Sequence, residues 1–186
     1  GTVASGVSGP GRFRFGGVRD FLLGVRLVTG DGRIVFGGGK VVKNAAGFDI
    51  PKLMVGSLGQ LGVLVELTFK VFPVPEDSTT IRATFSDLDA AIEGLRLLAV
   101  SQEELMCLDL ESPHTVAARI AGLTAAQSAR TNRILAIVEG ASTDTLHGDD
   151  DRQYWSTARE FEWLPEGHRL VRIPTTPSKI PPIEQF

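Results

Sequence analysis

Most of the 21 glycines of this chain lie before residue 75, and the stretch Pro73-Val-Pro75-Glu-Asp-Ser-Thr-Thr that follows them is a stiff, polar connector. Bare backbone crowded into one end, with ordinary composition at the other, predicts two domains: residues 1–75, and residues 76–186, the latter expected to be incomplete. At 186 residues and 42% hydrophobic content, the chain can bury one good core or two small ones. Its formal net charge of -3 supplies no basic field for nucleic acid or an anionic membrane surface. There is no run of about 18 apolar residues and no basic-then-apolar start, so neither a membrane span nor an export leader is expected. The opening, GTVASGVSGPGRFRFGG, has no initiator methionine and reads as beginning mid-domain.

In the first part Phe21, Leu23, Val25 and Leu27 alternate with other residues before Gly30-Asp-Gly32, and Ile34 to Phe36 resumes an extended pattern, which predicts a hairpin. A second strand follows, with Val63, Val65, Leu67, Phe69 and Val71 on one face and Glu66, Thr68 and Lys70 on the other. The second part opens with a strand at Ile81 to Phe85. Ser86, with Asp89 three residues on, then predicts a helix start, and Leu88, Ala91, Ile92, Leu95, Leu98 and Ala99 fall on one stripe. Strands at Leu105 to Leu110, Ile134 to Val138 and Leu170 to Ile173, with a helix from about Asp149 to Phe161, complete a strand-helix-strand-strand-helix-strand order. That order predicts a split ferredoxin-like unit.

The usual carriers of chemistry are sparse. The single cysteine, Cys107, sits in an apolar run where such a residue is ordinarily a small core filler. His114, His147 and His168 stand at no spacing that builds a triad or a metal site, so no metal is expected and no catalytic residue is assignable. Arg12, Arg14 and Arg19 form a local basic cluster able to attract a phosphate or carboxylate, although such arginines are also ordinary surface residues. Lys43 and Asn44 are read equally as polar groups near a ligand or as a solvated turn. Trp155 and Trp163 either line a pocket or anchor a core or interface.

Two glycine-rich segments remain, Thr2-Val-Ala-Ser-Gly6 and Gly56-Ser-Leu-Gly-Gln-Leu-Gly62. Glycine lets bare backbone approach a phosphate or a flat ring, and Val63 and Leu64 add apolar contact at the entrance of the long strand. Taken singly, each glycine also reads as a turn. Neither segment ends in the Gly-Lys-Ser or Gly-Lys-Thr of a phosphate loop, and neither forms a G-x-G-x-x-G turn.

In order, GTVASGVSGPGRFRFGGVRDFLLGVRLVTGDG and then FGGGKVVKNAAGFDIPKLMVGSLGQLGVLVELTFKVFP resemble the second lobe of the PCMH-type FAD-binding domain of the vanillyl-alcohol oxidase superfamily. Within it they most resemble the FAD-binding subunits of bacterial glycolate oxidases, densely over residues 1 to about 75 and only generally beyond. The resemblance implies an α+β fold: the C-terminal lobe of an FAD-binding domain, with mixed or antiparallel sheet and helices, then a ferredoxin-like α/β cap. It implies FAD contacts at Thr2, Val3, Ala4, Ser5 and Gly6, and at Leu58, Gly59, Gln60, Leu61, Gly62, Val63 and Leu64. Gln60 departs from the family's hydroxyl residue, which leaves backbone contact at that position.

The same resemblance implies an FAD-linked oxidoreductase that oxidises glycolate or a related 2-hydroxy acid beside a second flavoprotein subunit and an iron-sulfur subunit. A cytoplasmic location, with the partners holding it at the inner face of the membrane, goes with that reading. The first FAD lobe, which carries the main pyrophosphate loop, is not in this sequence, so the chain alone is expected to bind FAD weakly or not at all and to be inactive. Two alternatives stay open: a non-catalytic scaffold subunit that keeps the flavoprotein fold, and another FAD-linked oxidase or dehydrogenase of the superfamily.

Overall fold

The computed structural model describes residues 1–41 and 47–181. The chain forms two compact units, Gly1–Val74 and Pro75–Phe186.

The first unit opens with three short helices, α1 (Thr2–Ser5), α2 (Arg12–Phe15) and α3 (Val18–Phe21). Strands β1 (Leu22–Val28) and β2 (Ile34–Gly38), helix α4 (Ile50–Met54) and strand β3 (Val63–Phe69) follow. The three strands form an antiparallel sheet in the order β2-β1-β3. The expected hairpin is present: Thr29 donates its amide to the Arg33 carbonyl at 3.0 Å, and Gly32 turns the chain with φ +80°. Helix α4 starts where Asp49 accepts from the Lys52 amide at 3.1 Å, with Pro51 in its first turn.

The faces of β1 and β3 differ from simple alternation. Pairing jumps from Leu22↔Phe69 to Gly24↔Thr68 and from Arg26↔Glu66 to Leu27↔Leu64, which leaves Leu23 and Val65 as extra residues. Each bulge reverses the phase of side chains beyond it. Leu22, Val25 and Leu27 consequently face the core with Val3 and Met54, while Leu64 and Leu67 pack beside them. Val63 and Val65, expected on the buried face with Leu67, are instead 67% and 54% exposed.

The second unit is built from β4 (Asp77–Thr84), α5 (Leu88–Val100), β5 (Leu105–Glu111), β6 (Thr115–Gly122), α6 (Thr124–Ile137), β7 (Ser142–His147) and α7 (Gly148–Glu160), with a 3-10 turn at Pro177–Lys179. Its sheet is antiparallel in the order β5-β6-β4-β7. With βαββαβ connectivity this is the split ferredoxin-like arrangement. Helices α5 and α6 cover one face, over Ile81, Leu105, Val116, Ala118 and Ile120, and contribute Ala91, Leu98 and Ile134 to that core. The opposite face receives α7, whose Trp155 packs on Cys107 and Ala117.

The architecture is the expected one, but several segments that build it are not. Ile134 to Val138, expected as a strand, is the last turn of α6 and its cap, because those apolar residues complete a helical stripe over the sheet. The strand in its place is β6, an alanine-rich run whose Ala117 and Ala118 are buried on opposite faces. The fourth strand is β7, Ser142–His147, a polar edge strand in which only Leu146 is a large apolar residue. Leu170 to Ile173 is in no strand and is exposed. The helix expected from about Asp149 is α7 and lies outside the βαββαβ unit. The cap of α5 is Asp87, which accepts from the Ala90 amide at 2.8 Å, in place of Ser86.

Candidate cofactor site

The two glycine-rich segments, distant in sequence, are joined directly. Gly56 donates its amide to the Val3 carbonyl at 3.2 Å, and Leu58 donates to the Ala4 carbonyl at 2.8 Å. Helix α1 ends at Gly6 with φ +68°, and a Cβ there would lie 3.3 Å from the Cα of Gly56. Close backbone approach between the segments therefore uses the glycine at position 6, while Gly56 supplies a left-handed turn with φ +80°.

Val3 is 8% exposed, so its side chain anchors α1 in the core and leaves only backbone for a ligand. The Ser5 hydroxyl donates to the Thr2 carbonyl at 3.0 Å and is engaged within the helix. From Leu58 to Val63 the chain is largely on the surface: Leu58 is 71% exposed, Leu61 45% and Val63 67%. Leu58 and Gly59 are both left-handed, with φ +53° and +79°. A non-glycine residue held there is strained and persists only when its surroundings require it.

The resulting surface alternates apolar side chains with uncovered backbone. The amides of Gly59 and Leu61 donate to no protein acceptor among the described residues, whereas Gln60 donates to the Ser57 carbonyl at 3.0 Å. A Cβ at Gly59 would meet nothing within 4 Å, so space stands open over it. Beneath the loop the Ser57 hydroxyl oxygen is buried with no partner among the described residues. Ser57 was not among the residues expected to bind, since its sequence neighbours alone give no sign that its oxygen is unpaired. Gly62 acts differently, letting the loop close against β1, for its φ is +147° and a hypothetical Cβ would lie 2.5 Å from the Val28 carbonyl oxygen. Leu64 turns into the core. Free amides and exposed leucine and valine side chains suit a large ligand with both anionic and apolar parts.

The other sequence candidates are not brought to this loop. Lys43 and Asn44 lie outside the described residues. Burial pushes the Cys107 thiol up to about 11, which keeps it protonated and inert. His147 sits 3.3 Å from the Thr79 hydroxyl, and His168 lies beside the Glu166 carbonyl on the surface. Trp155 donates to the Thr80 hydroxyl at 2.6 Å within the second unit's core, while Trp163 is 56% exposed against Phe161. On the same sheet face the Tyr154 hydroxyl donates to Glu111, and Arg82 pairs with Glu111 at 3.6 Å and Asp144 at 3.7 Å. The Arg82 Nε is buried with no hydrogen-bond partner among the described residues, while burial first, then the Glu111 carboxylate, raise the Tyr154 phenol well above its ordinary range. Among the described residues no group of three or more His, Cys, Asp or Glu side chains could hold a metal ion.

This architecture has a precedent among solved structures. The structure matches alkyldihydroxyacetonephosphate synthase with a TM-score of 0.58 over 83% of this chain and 34% of that one, at 16% identity. A second crystal form of that enzyme gives a TM-score of 0.60 over 84% and 35%. In sequence, the chain is a relative of hydroxy-acid oxidases and dehydrogenases. It is 50% identical over 93 residues to glycolate oxidase subunit GlcE of Escherichia coli, covering 50% of this chain and 27% of that protein. It is 39% identical over 80 residues to glycolate oxidase subunit GlcD of Bacillus subtilis, covering 43% and 17%. It is 34% identical over 92 residues to a D-lactate dehydrogenase of Archaeoglobus fulgidus, covering 50% and 21%. The chain thus spans between 17% and 27% of the length of these relatives. No family model matches it. The resemblance to glycolate oxidase subunits read from the residues is borne out by these relatives, as is the α+β fold with antiparallel sheets.

Proposed function

We propose that this chain is part of an FAD-dependent oxidoreductase that oxidises glycolate or a related 2-hydroxy acid. The first unit is read as the C-terminal lobe of the FAD-binding domain, and the second as the ferredoxin-like cap that shapes the substrate side. The observation that carries the reading is the joining of Val3 and Ala4 to Gly56 and Leu58, because it builds one backbone surface from the two segments expected to meet the flavin. The named relatives include glycolate oxidase subunits, D-lactate dehydrogenases and a D-2-hydroxyglutarate dehydrogenase, which favours oxidation of 2-hydroxy acids over a purely structural subunit.

In this reading the amides of Gly59 and Leu61 meet polar groups of FAD, and Leu58, Leu61 and Val63 cover apolar parts of it. Thr2 to Gly6 contribute backbone, and Gln60 takes part through its main chain. Bound FAD supplies the two-electron acceptor for the substrate's hydroxyl carbon. The residues of this chain bind, orient and exclude water; none of those described is assigned a proton-transfer role. Two partners, a second flavoprotein subunit and an iron-sulfur subunit, would receive the electrons. They would also hold the protein near the inner face of the membrane; no helix among the described residues is long and apolar enough to cross it.

The test is to isolate the polypeptide in which this chain naturally occurs, measure bound flavin, and follow reduction of an artificial acceptor with glycolate, D-lactate and D-2-hydroxyglutarate. Flavin reduction by at least one of them is expected. A flavin that none of the three reduces removes the 2-hydroxy-acid assignment, and a protein without flavin removes the whole reading.

A further inference from the structure

A cavity of about 240 Å³ in the first unit lies away from any role given so far, between α3, the β1–β2 edge, the start of α4 and the end of β3. Arg19, Lys52 and Lys70 line it, against Asp20 and Asp49. Both carboxylates are already committed. Asp20 accepts from the Gly17 amide at 2.7 Å, and Asp49 accepts from the Lys52 amide at 3.1 Å and pairs with the Lys52 ammonium at 3.1 Å. Arg19 and Lys70, in contrast, have no carboxylate within 4 Å among the described residues. Lys70 is nevertheless held in place. Its ammonium stands 5.8 Å from the centre of the Phe21 ring and 5.1 Å from that of Phe72, and its amide donates to the Phe21 carbonyl at 2.8 Å. Three cations, of which Lys70 is held over two rings, line this small polar cavity against two carboxylates that are already hydrogen-bonded, which leaves an excess positive charge and unused donors.

We propose that this cavity is an oxyanion site, in which Arg19 and Lys70 bind the phosphate or carboxylate group of a small anion and Lys52 adds its charge at the rim. Its volume is below that of pockets that enclose drug-sized ligands, about 300 Å³ and upwards, which restricts the ligand to a small ion or the end group of a larger one. The guanidinium of Arg19 supplies paired N–H groups that match two oxygens of either anion, and the Lys70 ammonium supplies a compact charge beside it. The site depends on these side chains alone and stands whether or not the flavin reading holds.

Inorganic phosphate and glycolate, titrated separately into the isotope-labelled chain at constant ionic strength with chloride as the reference, test the assignment by amide chemical shifts. The expected result is a saturable shift confined to amides around Arg19, Leu22, Leu23, Gly38 and Lys70. Arg19→Gln and Lys70→Gln should each weaken the binding about tenfold or more, because each removes a charge-assisted contact. Arg96→Gln on α5, whose side chain pairs with Glu93, should leave it unchanged. Saturation by phosphate alone assigns a phosphate ligand, and saturation by glycolate as well assigns the shared oxyanion chemistry; either supports the site. Shifts that rise linearly for both anions, or that saturate equally in a folded Arg19→Gln variant, overturn it.

Discussion

Leu58 donates its amide to the carbonyl of Ala4 at 2.8 Å while its own backbone is held left-handed at φ +53°. The hydrogen bond and the strained conformation occur at the same residue, and together they turn an apolar side chain out to 71% exposure. A leucine in this strained conformation persists only where its surroundings over-determine it, and the bond to Ala4 is one such constraint. The pairing of two glycine-rich segments through this contact is the structural basis for the flavin reading.

Gly62 gives the sharpest test of how the loop is closed. At φ +147°, with a hypothetical Cβ only 2.5 Å from the Val28 carbonyl oxygen, alanine there forces β1 and β3 apart. Gly62→Ala should destabilise the first unit by about 2 kcal/mol. Hydrogen exchange at the β1 and β3 amides is the measurement, with protection falling about thirtyfold at that cost. Unchanged protection would mean that the loop does not need to approach β1.

In the second unit, Asp151 is fully buried and accepts from Ser78 at 2.7 Å, from Thr80 and from Arg119, whose Nε lies 3.1 Å away. Thr80 in turn accepts from Trp155, so one network ties α7 to the sheet. Asp151→Asn leaves the Arg119 charge without its counter-ion and should cost about 3–5 kcal/mol. Urea unfolding followed by tryptophan fluorescence reads it, since Trp155 belongs to the network. The paired replacement Arg119→Met with Asp151→Leu should recover most of the loss; a double variant as unstable as the single one would show that the Ser78 and Thr80 contacts to Asp151, not the charge pair, are at stake.

Acid should weaken the second unit in a defined way. The hydrogen-bonded Arg133 first, and then Arg130, hold the Glu103 carboxyl below its ordinary range, and the Ala90 amide does the same for Asp87. Because these folded-state values are depressed, their contribution is complete above the unfolded values, about 4 for such groups, and is lost as pH falls through the folded ones. The urea midpoint should therefore drop below about pH 4, and Glu103→Gln should flatten that drop while lowering the neutral-pH midpoint. An identical acid limb in the variant would exclude Glu103 from the effect.

How far these features could be read from sequence depends on the kind of signal. The hairpin at Gly30–Gly32, the stripe of α5 and the helix α7 follow from local periodicity and turn chemistry, and they are present. Phase was lost in β1 and β3 because bulges at Leu23 and Val65 depend on pairing with another strand. β6 and β7 were missed for a related reason: alanine-rich and threonine-rich segments become strands only through their neighbours in the sheet. For the candidate site, the glycine-rich segments stood out, but the contact between them, the orphaned Ser57 oxygen and the cavity beside Lys70 are tertiary facts with no local pattern.

If the loop around Gly59 meets FAD through its backbone, a Gly59→Trp variant loses its flavin. A Cβ at Gly59 meets no protein atom within 4 Å, so a tryptophan starts into open space over the loop; the left-handed backbone adds about 1–2 kcal/mol of strain. The measurement is the visible absorption of the purified polypeptide in which this chain naturally occurs, with circular dichroism to confirm folding. The wild type should be yellow and the variant folded and colourless. A folded Gly59→Trp protein that keeps its full flavin content would contradict backbone contact with FAD at this loop.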